Sequence, residues 1–149
     1  MKSLYEKSTL EEIQNRIHQL TPASQSKWGK MQVDQMLAHC SETMKVVTGQ
    51  MNIKRGLLGY VLGPIFKPQY YNDKPLPKNS PTAPEFLVTD RKIFETEKEH
   101  LLKLVKQFQE GGQAGCTKEP HAFFGKLTSE QWGKGTYKHL DHHLQQFGV

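Results

Sequence analysis

Apolar residues recur with helical spacing in four stretches of the chain, and no segment alternates convincingly with period two. Leu10, Ile13, Ile17 and Leu20 define one face of a first helix from about Thr9 to Leu20. Thr9 offers a cap, Glu11 and Glu12 put acids in the first turn, and Thr21-Pro22 stops the helix. Val33, Met36, Leu37, Cys40, Met44 and Val47 predict a second helix from about Gln32 to Thr48, ended by Gly49. Ile93, Phe94, Leu101, Leu104, Val105 and Phe108 predict a third, from about Asp90 to Glu110, before Gly111-Gly112. Tyr137, Leu140, Leu144 and Phe147 predict a fourth, from Ser129, its expected N-cap, to Phe147. Gly133 and Gly135 lie inside that fourth helix at a cost of roughly 1 kcal/mol each against alanine, which points to close packing or a bend.

Between the second and third helices the pattern breaks. Six of the eight prolines fall between Pro64 and Pro84. Arg55 to Leu62 reads as one short helix, and the remainder as a long connection over the surface. Such a connection either acts as a lid or packs Phe66, Tyr70 and Tyr71 against the helices. Four amphipathic helices without strands predict an all-α helix bundle. A length of 149 residues fits a single domain over 1–149 with its own core.

Composition narrows the class. With 36% hydrophobic residues and a mean hydropathy of −0.68, the chain reads as soluble. Two cysteines cannot build a disulfide scaffold. The first ten residues carry charges and no apolar core, so no secretory signal is expected. Gly56 to Phe66 is the most apolar run, but its 11 residues fall short of the roughly 20 that cross a bilayer. A cytoplasmic location without membrane contact follows as the expectation. The net charge of +5 comes from lysines spread along the chain, with no arginine-rich run, which argues against nucleic acid as a partner.

Seven histidines are the unusual count, three of them within the last eleven residues. At 100° per residue, His139 and His143 fall on the same flank of the fourth helix's apolar stripe, while His142 falls on the opposite side, toward solvent. His139 and His143 form an i, i+4 pair whose Cβ atoms lie roughly 6 Å apart, a spacing at which two imidazoles reach one metal ion. His39 lies on the flank of the second helix, about 60° from Met36. Three imidazoles would leave a coordination position open, as catalytic sites do. An i, i+4 pair also arises by chance in a chain with this many histidines. Glu97 and His100, near the third helix's apolar face, are further candidates as ligands or as an ion pair and a boundary residue. A short internal echo accompanies the histidines: Trp28-Gly29-Lys30 precedes His39 by the same interval at which Trp132-Gly133-Lys134 precedes His143.

Trp28-Gly29-Lys30-Met31 followed by Gln35-Met36-Leu37-Ala38-His39 resembles the second-helix signature of the DinB/YfiT-like metalloenzyme superfamily. The tail His121-x-Phe123-Phe124-Gly125-Lys126-Leu127-Thr128-x-x-Gln131-Trp132-Gly133, then His139-Leu140-Asp141-His142-His143-Leu144-x-Gln146-Phe147, is similar to an uncharacterised branch of it, one of unknown function. The resemblance implies a four-helix bundle of up-down-down-up type, often a homodimer. It also implies a divalent metal, commonly nickel or zinc, held at positions matching His39, His139 and His143. Characterised members of the superfamily include S-transferases and isomerases that use low-molecular-weight thiols. The branch often has proline after the first tail histidine, where this chain has Ala122.

The function expected is therefore that of a metal-dependent transferase or hydrolase acting on a small molecule, with a low-molecular-weight thiol as a candidate substrate. Asp34, Gln35, Glu42 and Gln146 lie within about a turn of the three histidines and are candidates to orient them. His121, in the loop before the last helix, is the candidate acid–base group; its plainer role is a loop hydrogen bond. Trp28 and Trp132 either wall the pocket or pack the core. The competing expectation is a non-catalytic bundle that binds a small ligand or a partner protein through the proline-rich excursion.

Overall fold

The structure, a computed structural model, describes residues 1–149. It is all-helical, as the periodicity predicts, with five α-helices, four of them the amphipathic ones and the fifth in the proline-rich middle. These are α1 (Lys7–Gln19), α2 (Val33–Val47), α3 (Leu57–Tyr71), α4 (Phe94–Gly111) and α5 (Ser129–Gln146), with a 3-10 turn at Pro84–Phe86. No helix is long and apolar enough to cross a membrane.

The predicted stripes build one core of 22 buried residues. Ile13 and Ile17 of α1, Met36, Leu37 and Met44 of α2, Leu101, Leu104, Val105 and Phe108 of α4, and Leu140 and Leu144 of α5 meet there. The N-terminal segment adds Leu4, fully buried and tied by its N–H to the carbonyl of Gly133 at 3.1 Å. Arg16 closes the far side, pairing with Asp141 at 2.8 Å and donating to the terminal Val149 carbonyl. Ile93 departs from its stripe: it precedes the first turn of α4 and is 73% exposed.

The helix starts differ from expectation by a few residues. Thr128, not Ser129, caps α5; its hydroxyl accepts from the Gln131 N–H while the Gln131 side chain accepts from the Thr128 N–H, a reciprocal capping box. Thr9 lies inside α1, bonded to Glu6, which precedes the helix.

The larger difference is α3. It runs past Leu62 through Pro64 and Pro68 to Tyr71. Each proline removes one intrahelical donor. Both prolines stand on the exposed side of α3, as do Tyr60 and Pro64, the residues whose carbonyls lose a partner. Water can satisfy those carbonyls, so the helix survives. Its other face is made of glycine and tyrosine. Gly59 and Gly63 sit on the backbone of the loop at 122–123, so close that a Cβ on Gly63 would come within 2.0 Å of the Phe123 carbonyl oxygen. Leu57, Leu58, Tyr60, Val61 and Ile65 face outward and are all at least 60% exposed. Lys138 of α5 is buried and donates to the carbonyls of Gln69 and Asn72 and to the Asn72 side chain, placing a cation at the C-terminal end of α3.

Gly135 shows why a helix former is excluded at that position. A Cβ there would lie 1.9 Å from the ring of Tyr70. Gly135→Ala should therefore lower stability by about 1–3 kcal/mol, despite gaining about 1 kcal/mol of helix propensity. Urea denaturation checks this, and in a Tyr70→Leu background the penalty should shrink or reverse. An equal penalty in both backgrounds would mean that the ring is not the obstacle.

Candidate metal centre

The excursion after α3 is what brings the site together. Buried Asp34 of α2 accepts from the Lys92 N–H at 2.7 Å and pairs with Arg91 at 2.9 Å, while Gln35 donates to the Thr89 carbonyl at 3.0 Å. These bonds pin the returning chain onto α2, and the 3-10 turn lands beside His39. Asp34 and Gln35 thus serve the backbone rather than the histidines. Glu42 pairs with Lys45 at 2.6 Å.

His39 from α2 and His139 and His143 from α5 converge. Their ring centroids are 4.7–5.2 Å apart. One ring nitrogen of each lies within 4.8 Å of those of the other two. The structure brings in neither Glu97 nor His100, which remain half-buried positions on α4. His142 is not free in solvent: its ring meets Trp28 edge-on at 5.7 Å, and Lys78 lies over that indole.

Each of the three rings has an oxygen at its other nitrogen. His39 Nδ1 is 2.9 Å from the Phe86 carbonyl, an obligate acceptor, so Nδ1 carries the proton and Nε2 is bare. His143 Nδ1 is 2.9 Å from Gln146 Oε1. The Gln146 amide is oriented by its own donation to the Trp28 carbonyl at 2.8 Å, which leaves Oε1 for the histidine. His139 Nδ1 is 3.5 Å from Thr43 Oγ1, whose proton is used on the Cys40 carbonyl at 2.8 Å, so the hydroxyl accepts. His39 therefore takes the Nδ1–H tautomer, Gln146 Oε1 selects the same form in His143, and His139 has an oxygen at 3.5 Å from Nδ1 and the His39 ring at Nε2.

The Nε2 atoms of His39 and His139 are 3.2 Å apart, a distance bridged by one proton or by one cation. Two nitrogens at about 2.1 Å from one tetrahedral ion are separated by roughly 3.4 Å. Three imidazole nitrogens gathered in this way could hold a metal ion.

Burial disfavours the charged form of all three imidazoles. It pushes His39 below the ordinary histidine range, and His139 well below it with further repulsion from His143 and His39. His143 is pushed down to about 3 by burial and by His39, against the opposing pull of Gln146. Neutral rings are what a metal ion requires.

His121 is arranged in the opposite sense. Its Nδ1 accepts from the backbone N–H groups of Phe123 and Phe124 at 3.0 and 3.2 Å, closing the loop it begins. The proton is thereby on Nε2. Burial, aided by the Arg55 cation, pushes His121 down to about 4. A ring with one nitrogen sealed by backbone donors and a pKa this low is poorly suited to the acid–base role expected from the sequence. What it offers is a neutral hydrogen-bond donor.

His139 and His121 line the same cavity, of about 60 Å3. Val46, Val47, Ile53 and Phe86 supply apolar wall, and no charged side chain takes part. Trp132, fully buried, belongs to this wall, whereas Trp28 stands outside it, beside His142. Sequence reasoning missed Phe86 and Thr43. A backbone carbonyl leaves no signal in side-chain identity, and Thr43 reads as an ordinary helix residue four positions after His39.

The family described as "Protein of unknown function (DUF1569)" matches residues 2–148, and the chain belongs to that family. No curated protein and no solved structure matches it.

The depressed histidines set the pH response of the metal-free protein. An unfolded histidine titrates near its ordinary value of about 6.5. Between that value and the lower folded ones, the unfolded chain binds more protons, so stability is fully present above about pH 6.5 and is lost as pH falls. The slope approaches about 1.4 kcal/mol per pH unit for each neutral buried ring. Denaturant titrations in the presence of a chelator should show that fall between about pH 6.5 and 5. A flat profile would contradict the burial assigned to these rings.

Proposed function

We propose that this member of the family is a divalent-metal-dependent enzyme whose ion is held by His39, His139 and His143. The observation that carries the reading is the convergence of three rings that each bring a nitrogen within 4.8 Å of the other two, with an oxygen beside every Nδ1 from Phe86, Thr43 and Gln146. Nickel and zinc are the ions proposed, because neutral imidazole suits both. When bound, such an ion lowers the pKa of a coordinated water or thiol and so supplies a nucleophile at neutral pH.

The chain's own residues do the rest. Phe86, Thr43 and Gln146 hold the tautomers, which keeps the rings from competing with one another for a proton. The Trp28 carbonyl holds Gln146, and Gly29 leaves room for it: a Cβ at Gly29 would lie 2.6 Å from Gln146 Nε2. The cavity beside His139 takes a small substrate and keeps bulk water from it. Three protein ligands leave room for a substrate atom at the ion. Transfer to or from a low-molecular-weight thiol, or hydrolysis of a small molecule, is the reaction class proposed, on a single-domain bundle of the DinB-like, up-down-down-up kind. The homodimer implied by that resemblance is assigned to the exposed apolar face of α3, which a second copy would cover.

Elemental analysis of tag-free protein tests the centre. One equivalent of metal, reloadable after chelation, is expected. His39→Ala, His139→Ala and His143→Ala should each abolish loading. Gln146→Leu should weaken it by about 10–100-fold while leaving the ligands in place. Folded variants that load normally would remove the centre and favour the non-catalytic ligand-binding alternative. For the dimer, light scattering should give twice the chain mass, reduced to the monomer by Leu58→Glu with Ile65→Glu. A monomer at all concentrations in the unmodified chain would refute the assignment.

A further inference from the structure

Two helix faces run away from the three histidines side by side. On α2, His39, Thr43 and Val46 are spaced four and three residues apart. On α5, His143, His139, Thr136 and Trp132 are spaced four, three and four apart. Both spacings keep the side chains within about 60° of one another around the helix axis. Thr43 and His139 meet at 3.5 Å, so the two faces oppose each other about one turn beyond His39. Beyond that point the seam holds the cavity, which Thr43, Val46, Thr136, Trp132 and His139 all line. His39 and His143 take no part in its lining and are buried, whereas His139 keeps partial exposure. The centre is thus closed on the side of His39 and His143 and approached along this seam.

The surface that the cavity presents is mostly carbon. No lysine, arginine, aspartate or glutamate lines it. Tyr70, His121 and Trp132 pack ring against ring with centroids 5.1–6.0 Å apart, which makes that side of the wall stiff. Polar atoms of these walls are withdrawn: Trp132 Nε1 and Thr136 Oγ1 have essentially no accessible surface, and His121 Nδ1 is consumed by backbone N–H groups. Thr43 Oγ1 is engaged by the Cys40 carbonyl and His139. An apolar cavity of about 150 Å3 stays dry and holds benzene, so one of about 60 Å3 holds about three carbons.

We propose that this seam is a specificity pocket for a short, uncharged aliphatic segment of the substrate, about three carbons long, and that Val46 sets its length. The pocket serves the metal centre and rests on that reading: the reacting atom lies at the three histidines, and the aliphatic segment extends past His139 between α2 and α5. Val46 stands seven residues from His39, about 10 Å along the helix axis. It is half-buried and packs against the common core from outside. A larger side chain there shortens the pocket without entering the core. The segment adds affinity by apolar burial alone, about fourfold for each methylene that enters. A carboxylate or ammonium group in the same place loses its hydration and finds no partner.

Xenon, which occupies dry apolar cavities, tests the pocket without the metal. In 1H–13C methyl spectra of metal-free protein under xenon pressure, the methyl signals of Val46, Val47 and Ile53 should shift saturably. Those of Val105, buried in the core away from the cavity, should stay in place. Val46→Phe should weaken xenon binding by about tenfold or more. Val46→Ala, which only removes carbon, should retain it and so shows that the position tolerates change. For the substrate, nickel-loaded protein is titrated with ethanethiol, 1-propanethiol and 1-butanethiol, read by absorption at the ion. Affinity should rise about fourfold with each methylene, and 1-hexanethiol should gain nothing further. The charged 3-mercaptopropionate, similar in length to 1-butanethiol, should bind more weakly by about tenfold or more. In Val46→Phe the series should flatten. No saturable methyl shift, or a flat series in the unmodified chain, overturns the pocket; unchanged xenon binding in Val46→Phe overturns the role of that residue. Metal content is read on the same samples. Bound xenon without metal loading removes the centre and the assignment to a substrate with it, whereas loaded metal with no bound xenon overturns the pocket alone.

Discussion

Helix α5 has almost no free side, and that constraint organises the molecule. Leu140 and Leu144 enter the common core. Gly133 lies against Ser3 and Tyr5, close enough that a Cβ would come within 2.5 Å of both. Gly135 accepts the Tyr70 ring, Lys138 reaches the end of α3, and Gln146 reaches the Trp28 carbonyl. A helix engaged all round cannot slide or rotate without breaking several of these contacts at once. His139 and His143 are therefore held at fixed height and azimuth, the positional rigidity that a metal centre requires of its ligands.

The same burial that holds the rings also sets their charge. Removing an imidazole from water costs little when it is neutral and much when it is protonated. Crowding three rings within 4.7–5.2 Å centroid spacing adds mutual repulsion to that cost. Neutrality then leaves each ring one proton to place. The Phe86 carbonyl decides that placement at His39 and Gln146 Oε1 at His143, while His139 lies between Thr43 and the His39 ring. At His121 the partners are donors instead, and the proton moves to the other nitrogen. His39 and His121, in one neighbourhood, thus take opposite tautomers, set by what stands behind each ring.

How much of this was legible in the sequence depends on the kind of interaction. Amphipathic periodicity read α1, α2, α4 and α5 to within a few residues, because burial of one face is written directly in residue order. The separation of His142 from its neighbours and the placement of His39, His139 and His143 on inward flanks came from the same arithmetic. Helix α3 was read too short because proline is a local breaker, and only tertiary placement reveals that Pro64 and Pro68 face water. The carbonyl of Phe86 was invisible, since any residue could supply it. Gln146 was legible as an orienting residue by its position one turn from His143, whereas Asp34 and Gln35, equally near in sequence to His39, bond the chain that returns over α2. Spacing alone cannot separate the two cases.

The repeated Trp-Gly-Lys segment clarifies what internal similarity does and does not imply. Both copies stand eleven residues before a histidine of the site, which invites the idea of two equivalent halves. Their roles differ. Trp28-Gly29 precedes α2 but supports α5: the Trp28 carbonyl orients Gln146, and the positive φ of Gly29 lets the chain pass that side chain closely. Trp132-Gly133 lies within α5, where the indole walls the cavity and the glycine receives the N-terminal segment. The histidines that follow are also supported differently, His39 by a carbonyl from the 3-10 turn and His143 by a side chain of its own helix. Equal spacing therefore brings two histidines to one place without giving their surroundings equivalent work. The asymmetry leaves one side of the centre closed by Gln146 and Trp28, and the other side, at His139, facing the cavity.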